Sequence, residues 1–139
     1  SFSIKDQQLM MTKNGKTIVF SPNGEQYSYH WASLSPSGQK VSYYISAVGC
    51  FVCDIDGKNI QFIGHNCYAP VWYNDEIIIA SDTKDDGHVI IESAIVAYDL
   101  KGNKQVLTNG DHIAVFPQAT EGKIAYSTSE GEIYVMNVK

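Results

Sequence analysis

The chain has 139 residues, enough for one domain with a modest core, and it is 44% hydrophobic and 18% charged, which excludes a disordered chain. Its formal charge is -5 with no run of Lys or Arg, which argues against a nucleic-acid groove built on clustered cations. No apolar stretch approaches the roughly 20 residues of a membrane-spanning helix, and three cysteines, an odd number, do not make a disulfide framework.

Nine tyrosines and many Val and Ile residues favour strands. Residues 1–8 show no clear period. Residues 9–12 form a short apolar run, closed by the turn signal Lys13-Asn14-Gly15. A second short strand is predicted over 17–20, followed by Ser21-Pro22-Asn23-Gly24. Residues 32–44, read as ASLSPSGQKVSYY, make the clearest unit. It is a strand, a Ser-Pro-Ser-Gly turn and a second strand. Val41, Tyr43 and Ile45 fall on one face and Ser42, Tyr44 and Ser46 on the other, the alternation of a half-buried strand. Pro36 fixes φ at the turn and Gly38 tolerates the tight return. Strands follow over 50–55 and 60–63, separated by Asp56-Gly57.

A similar order then repeats. Pro70-Val71-Trp72 opens it, and the apolar run 76–80 suggests burial on both faces. An acidic loop is predicted over 81–88, then strands over 94–100 and 105–108. Residues 89–100 could carry a helical turn but are rich in β-branched residues. A third copy begins near Pro117, with strands over 123–127 and 132–138. Ala32, Pro70 and Pro117 align, as do Phe51, Val96 and Tyr134, and Asp54, Asp99 and Asn137. Self-similarity at a period of about 40 residues marks a propeller, in which each repeat is one four-stranded blade.

The residues that carry the repeat also carry a resemblance. Ala32-Ser33-Leu34-Ser35-Pro36-Ser37-Gly38, residues 51–57 with their Asp54 and Asp56-Gly57, Pro70 with Trp72, and Ile133-Tyr134-Val135-Met136-Asn137 resemble the TolB-type propeller repeat. More narrowly, the chain is similar to the C-terminal half of TolB-like periplasmic proteins of Bacteroidales-type bacteria. Residues 81–87 are similar to an acidic loop of that group. The resemblance implies an all-β, six-bladed propeller of four-stranded antiparallel blades, of which about three are present. The expected blades are 1–24 (partial), 30–64, 69–108 and 114–139 (partial). It also implies a periplasmic or envelope location. Ser1 is not Met, so an upstream segment is expected to have been removed. Half a propeller leaves open sides, so an upstream half of a longer chain or a homodimer is expected, the former being favoured. Residues 9–12 and 132–138 both read as third strands and would compete for one slot in a two-fold closure.

Candidate sites follow. His65 and His112 precede equivalent strands. With Tyr27, Tyr29, His30, Asn66, Tyr68 and Asp111 they are expected on one rim, beside the loop that carries Asp85. Such a rim offers aromatic faces and hydrogen-bonding tips for a protein, peptide or glycan. Asp82 and Asp86 are weak calcium candidates, since Lys84 stands at a ligand position and no Glu closes the loop. Cys50, Cys53, His65 and Cys67 look superficially like a zinc set, but Cys50 and Cys53 point to opposite faces of one strand and read as core. No nucleophile elbow, P-loop or dinucleotide glycine pattern is present, and no catalytic residue or cofactor is expected. The leading expectation is a non-enzymatic binding or scaffold propeller of the bacterial envelope. The alternative is a hydrolase or lyase acting on sugars or peptides, with His65, His112 and Asp111 in its site. A third reading is an accessory half-propeller that pairs its edge with a partner strand.

Overall fold

Alternating Val, Ile and Tyr between Gly- and Asn-containing turns can satisfy their backbone groups only by pairing with neighbouring segments, and the chain does so as a series of meanders. The computed structural model describes residues 1–85, 87–110, 112–120 and 122–138, and of Asp85 and Ile91 only the backbone. These residues hold fourteen strands and no helix. The first sheet is β1 (Phe2–Lys5), β2 (Gln8–Lys13) and β3 (Lys16–Val19). The second is β4 (Tyr29–Leu34), β5 (Lys40–Ile45), β6 (Gly49–Asp54) and β7 (Gln61–Gly64). The third is β8 (Tyr68–Trp72), β9 (Ile77–Asp85), β10 (Ile90–Asp99) and β11 (Lys104–Val106). The fourth is β12 (Ala114–Thr120), β13 (Lys123–Thr128) and β14 (Ile133–Asn137). Every sheet is antiparallel, with its strands in chain order.

The sheets stack face to face in the same order. Leu9 of the first sheet is buried with Tyr29, Val41, Tyr43, Ile45 and Cys53 of the second. Cys50, Val52 and Ile63, on the opposite face of the second, meet Trp72, Ile78, Val96 and Tyr98 of the third. Ile79 and Ile95, on the other face of the third, meet Ala114 and Ile124 of the fourth. The indole N–H of Trp72 donates to the Ser33 carbonyl at 3.0 Å, tying the third sheet to the second. The first strands lie side by side, β1 against β4, β4 against β8 and β8 against β12.

Four expectations change. Residues 1–8 contain a strand, β1, which pairs with β2 through Phe2↔Met11 and Ile4↔Leu9. The predicted half-buried strand over 41–46 is buried on both faces from Val41 to Ile45, because sheets cover it on either side. The acidic segment 81–88 is not one loop. Ser81 to Asp85 continue β9 and pair with β10 past the core. The helical turn allowed over 89–100 is instead β10, whose pairing with β9 accounts for its β-branched residues.

Two glycines with positive φ, Gly38 in the turn before β5 and Gly49 at the start of β6, differ in what surrounds them. Gly38 adopts φ +77 with open space where a Cβ would stand. Gly49 adopts φ +140, and a Cβ there would press on the backbone of Gly64 and His65. Gly38→Ala should therefore cost about 1–2 kcal/mol of left-handed strain, and Gly49→Ala clearly more. Urea denaturation of both variants checks this, and equal losses would show that the approach to Gly64 imposes no constraint.

Candidate functional site

Three first strands are broken at the same place. Pairing with the second strand slips between His30 and Ser33 in β4, between Tyr68 and Val71 in β8, and between Val115 and Gln118 in β12. Each slip is a β-bulge, which bends a strand and re-aims a side chain. At each, one residue takes a left-handed backbone: Trp31 at φ 53, Ala69 at φ 49 and Phe116 at φ 51. Such a conformation costs a non-glycine residue about 1–3 kcal/mol and persists only where its surroundings enforce it. The three residues converge on one cavity of about 290 Å³, and they also border a second of about 340 Å³ beside Pro70 and Pro117. Trp31 is 44% exposed and Phe116 66% exposed, so large rings face the opening.

A ring cluster supports Trp31. Its centroid lies 5.2 Å from Tyr44 and 6.2 Å from Tyr68, and Tyr44 and Tyr68 are 5.4 Å apart. His30 completes the group at 6.4 Å from Tyr44, with its Nε2 2.8 Å from Ser46 Oγ. Tyr44 and Tyr68 bridge the second and third sheets, so the opening sits on rigid strands. Burial, then the neighbouring Tyr68 hydroxyl, pushes the Tyr44 phenol up to about 12.

The wall of the cavity comes from β9. Thr83 Oγ1 pairs with Ser93 Oγ at 2.9 Å, and Ser93 Oγ donates to the Ala114 carbonyl. Ser81, next on the same face, is 2% exposed and its Oγ has no partner among the described residues. Register explains the space around it. Opposite the residue before each bulge stands Tyr44 in the second sheet but Ser81 in the third. A ring fills the gap between the second and third sheets, and a hydroxymethyl leaves the gap between the third and fourth open. No described side chain lining this cavity is charged.

The expected rim residues are brought together only in part. His30 and Tyr68 join the ring cluster. Tyr27 and Asn66 are exposed, and the Tyr27 carbonyl accepts from the Gln8 amide at 3.1 Å. His65 lies against Phe62 at 4.9 Å, with Nδ1 2.9 Å from the Val48 carbonyl. His112 stacks on Tyr134 at 5.2 Å, and Tyr134 Oη stands 3.4 Å from its Nε2 and 3.3 Å from Glu132 Oε2, beside Glu130. Among the described residues no hydrogen bond joins His65 to His112, and the two rings serve different strands. Asp111 and Asp86 lie outside the described residues, as does the side chain of Asp85. Asp82 Oδ2 pairs with Lys104, while its Oδ1 is buried without a partner among the described residues. Cys50 and Cys67 share one buried cluster while Cys53 faces another, and burial raises the Cys53 thiol to about 12, the signature of core thiols.

Trp31, Tyr44, Ser81 and Phe116 were not singled out by sequence reasoning. A signal existed for two of them: Trp31 and Phe116 stand one place before the aligned Ala32 and Pro117. No protein-family model matches the chain, and no curated protein matches it.

An ordinary phenol releases its proton near pH 10, whereas Tyr44 in the folded chain holds its own to about 12. The folded state therefore keeps a proton that the unfolded state gives up. Stability from this group is complete below pH 10 and is lost as the pH rises through 12. Tyr44→Phe should lose less stability than the native chain between those values. Urea midpoints across that range test it, and parallel curves would show that Tyr44 titrates as a free phenol.

Proposed function

We propose that the chain is a non-enzymatic binding or scaffold module of the TolB-like β-propeller kind. In this reading the four sheets are consecutive blades, and β4, β8 and β12 line the axial opening. Its partner is a protein, peptide or glycan of the bacterial envelope. The resemblance stated for residues 32–38 and 51–57 supports the family and the location. The binding role rests on one structural observation, the matched left-handed bulges that turn Trp31, Ala69 and Phe116 into a shared cavity. Strain repeated at equivalent places and directed at an opening is the arrangement of a ligand site rather than of a core. Exposed rings beside buried hydroxyls suit a ligand that is part apolar and part hydrogen-bonding. Ile133 and Val135 stand exposed on one face of β14, which suits further stacking by more sheets or by a second copy.

Trp31 is exposed while Trp72 is 6% exposed, so a ligand in the opening should change the emission of Trp31 first. Peptide and glycan arrays should retain the native chain, and Trp31→Ala combined with Phe116→Ala should weaken retention about tenfold or more. A double variant that keeps native affinity for every retained partner would remove the opening as the binding site.

A further inference from the structure

We infer that His112, Glu130 and Glu132 form a binding site for a zinc ion, apart from the opening at the bulges. None of the three borders either cavity there. The topology brings them together. Ala114 of β12 pairs with Thr128 of β13, and the Ser129 N–H donates to the Ile113 carbonyl at 3.1 Å. The segment before β12 therefore lies beside the turn after β13. Glu130 and Glu132 flank Gly131 in that turn. Thr128 Oγ1 accepts from the backbone N–H groups of both glutamates at 3.3 Å, and Gly131 takes φ +84 to close the return. A ring nitrogen of His112 and one carboxylate oxygen from each glutamate lie within 4.8 Å of one another.

The donor set selects the ion. Two neighbouring carboxylates repel, and among the described residues neither is in an ion pair with Lys or Arg. Desolvation, then the charges of Glu132 and Glu130, hold the Tyr134 phenol above its ordinary value, so both charges bear on one point. An imidazole beside them favours a transition metal over Ca²⁺ or Mg²⁺, which prefer oxygen. Zinc takes imidazole and carboxylate donors together. The His112 ring is held in place, stacked on Tyr134 at 5.2 Å, with Tyr134 on Tyr126 at 5.7 Å. Its Nδ1 is enclosed, without a partner among the described residues, so Nε2 is the nitrogen that meets the ion. The Tyr134 hydroxyl stands 3.4 Å from Nε2 and donates to Glu132 Oε2 at 3.3 Å, which leaves Glu132 Oε1 for the metal. A tetrahedral ion about 2 Å from each donor brings the donors to about 3.3 Å of one another. Both glutamates are exposed and free to turn inward by that amount. Three protein ligands leave the fourth position for water or for a donor from a partner.

The probe is Zn²⁺ itself, titrated into the native chain and followed by calorimetry, by the imidazole NMR signals and by urea denaturation. It should saturate a single site, shift the signals of His112 but not those of His30 or His65, and raise the urea midpoint by mass action. Ca²⁺ and Mg²⁺ should bind clearly more weakly. Glu130→Gln, at an exposed position, should keep the metal-free urea midpoint and weaken Zn²⁺ binding about tenfold or more. His112→Ala should weaken it at least as much. If that variant also loses stability with its ring stack, Glu130→Gln carries the comparison alone. Zn²⁺ held equally by the native and Glu130→Gln chains, or shifting the other histidines instead, would overturn the inference. Ca²⁺ binding as tightly as Zn²⁺ would reduce the cluster to an acidic patch, and no binding of Zn²⁺ would end it. None of these outcomes bears on the opening at the bulges, which the arrays test separately.

Discussion

The two middle sheets of this chain are buried on both faces, and that constraint shapes everything else. β5 shows it most plainly. Val41, Tyr43 and Ile45 are buried toward the first sheet, while Ser42 and Tyr44 are buried toward the third. A two-sided apolar sheet cannot stand alone in water, since each fully covered large side chain contributes about 1.5–3 kcal/mol that exposure would forfeit. Each meander must therefore be covered by the next. The alternation of Cys50 and Cys53 between two separate clusters follows from the same geometry, because successive faces of one strand serve different interfaces.

Stacking twisted sheets with their first strands together brings those strands close at one end and leaves the later strands apart. The bulges answer this crowding. An inserted residue lets β4, β8 and β12 bend while the flanking pairs keep their register. The left-handed residue at each bulge is then directed out of its own sheet. A glycine would relieve the strain, yet two of the three positions hold Trp31 and Phe116, bulky residues for which such a backbone is unusual. Packing alone does not call for large exposed rings at these points. It is on their exposure that the proposed binding role rests.

Much of the strand pattern was legible because period two and the Gly, Pro and Asn turns act locally. β2, β3, β5, β6 and β7 all fall where alternation and turn residues place them. Two kinds of element escaped. β1 is only Phe2–Lys5, too short for a period to declare itself, and it exists because β2 offers it a ladder. The outer half of β9 reads Asp82-Thr83-Lys84-Asp85, and polar residues look like loop when the partner strand is unknown. The site was legible only at its margins. His30 and Tyr68, both candidates from the sequence, join the ring cluster beside the cavity, but the re-aiming of Trp31 and Phe116 is a backbone event that opposes their own preferences, so propensity points away from it.

The cavity opens where the second and third sheets differ. At the position paired with the residue before the bulge, the second sheet has Tyr44 and the third has Ser81. Tyr44 extends to Tyr68 and fills the interval with ring contacts at 5.4 Å. Ser81 has no atoms to spend on the next interval, and the cavity opens there. An apolar residue such as Val or Leu would have filled the gap in the usual way of close-packed interiors. A serine in its place leaves a void and a buried hydroxyl without a partner among the described residues, and each costs stability. The same difference that loosens the packing between the third and fourth sheets leaves the rings of Trp31 and Phe116 bordering an open cavity.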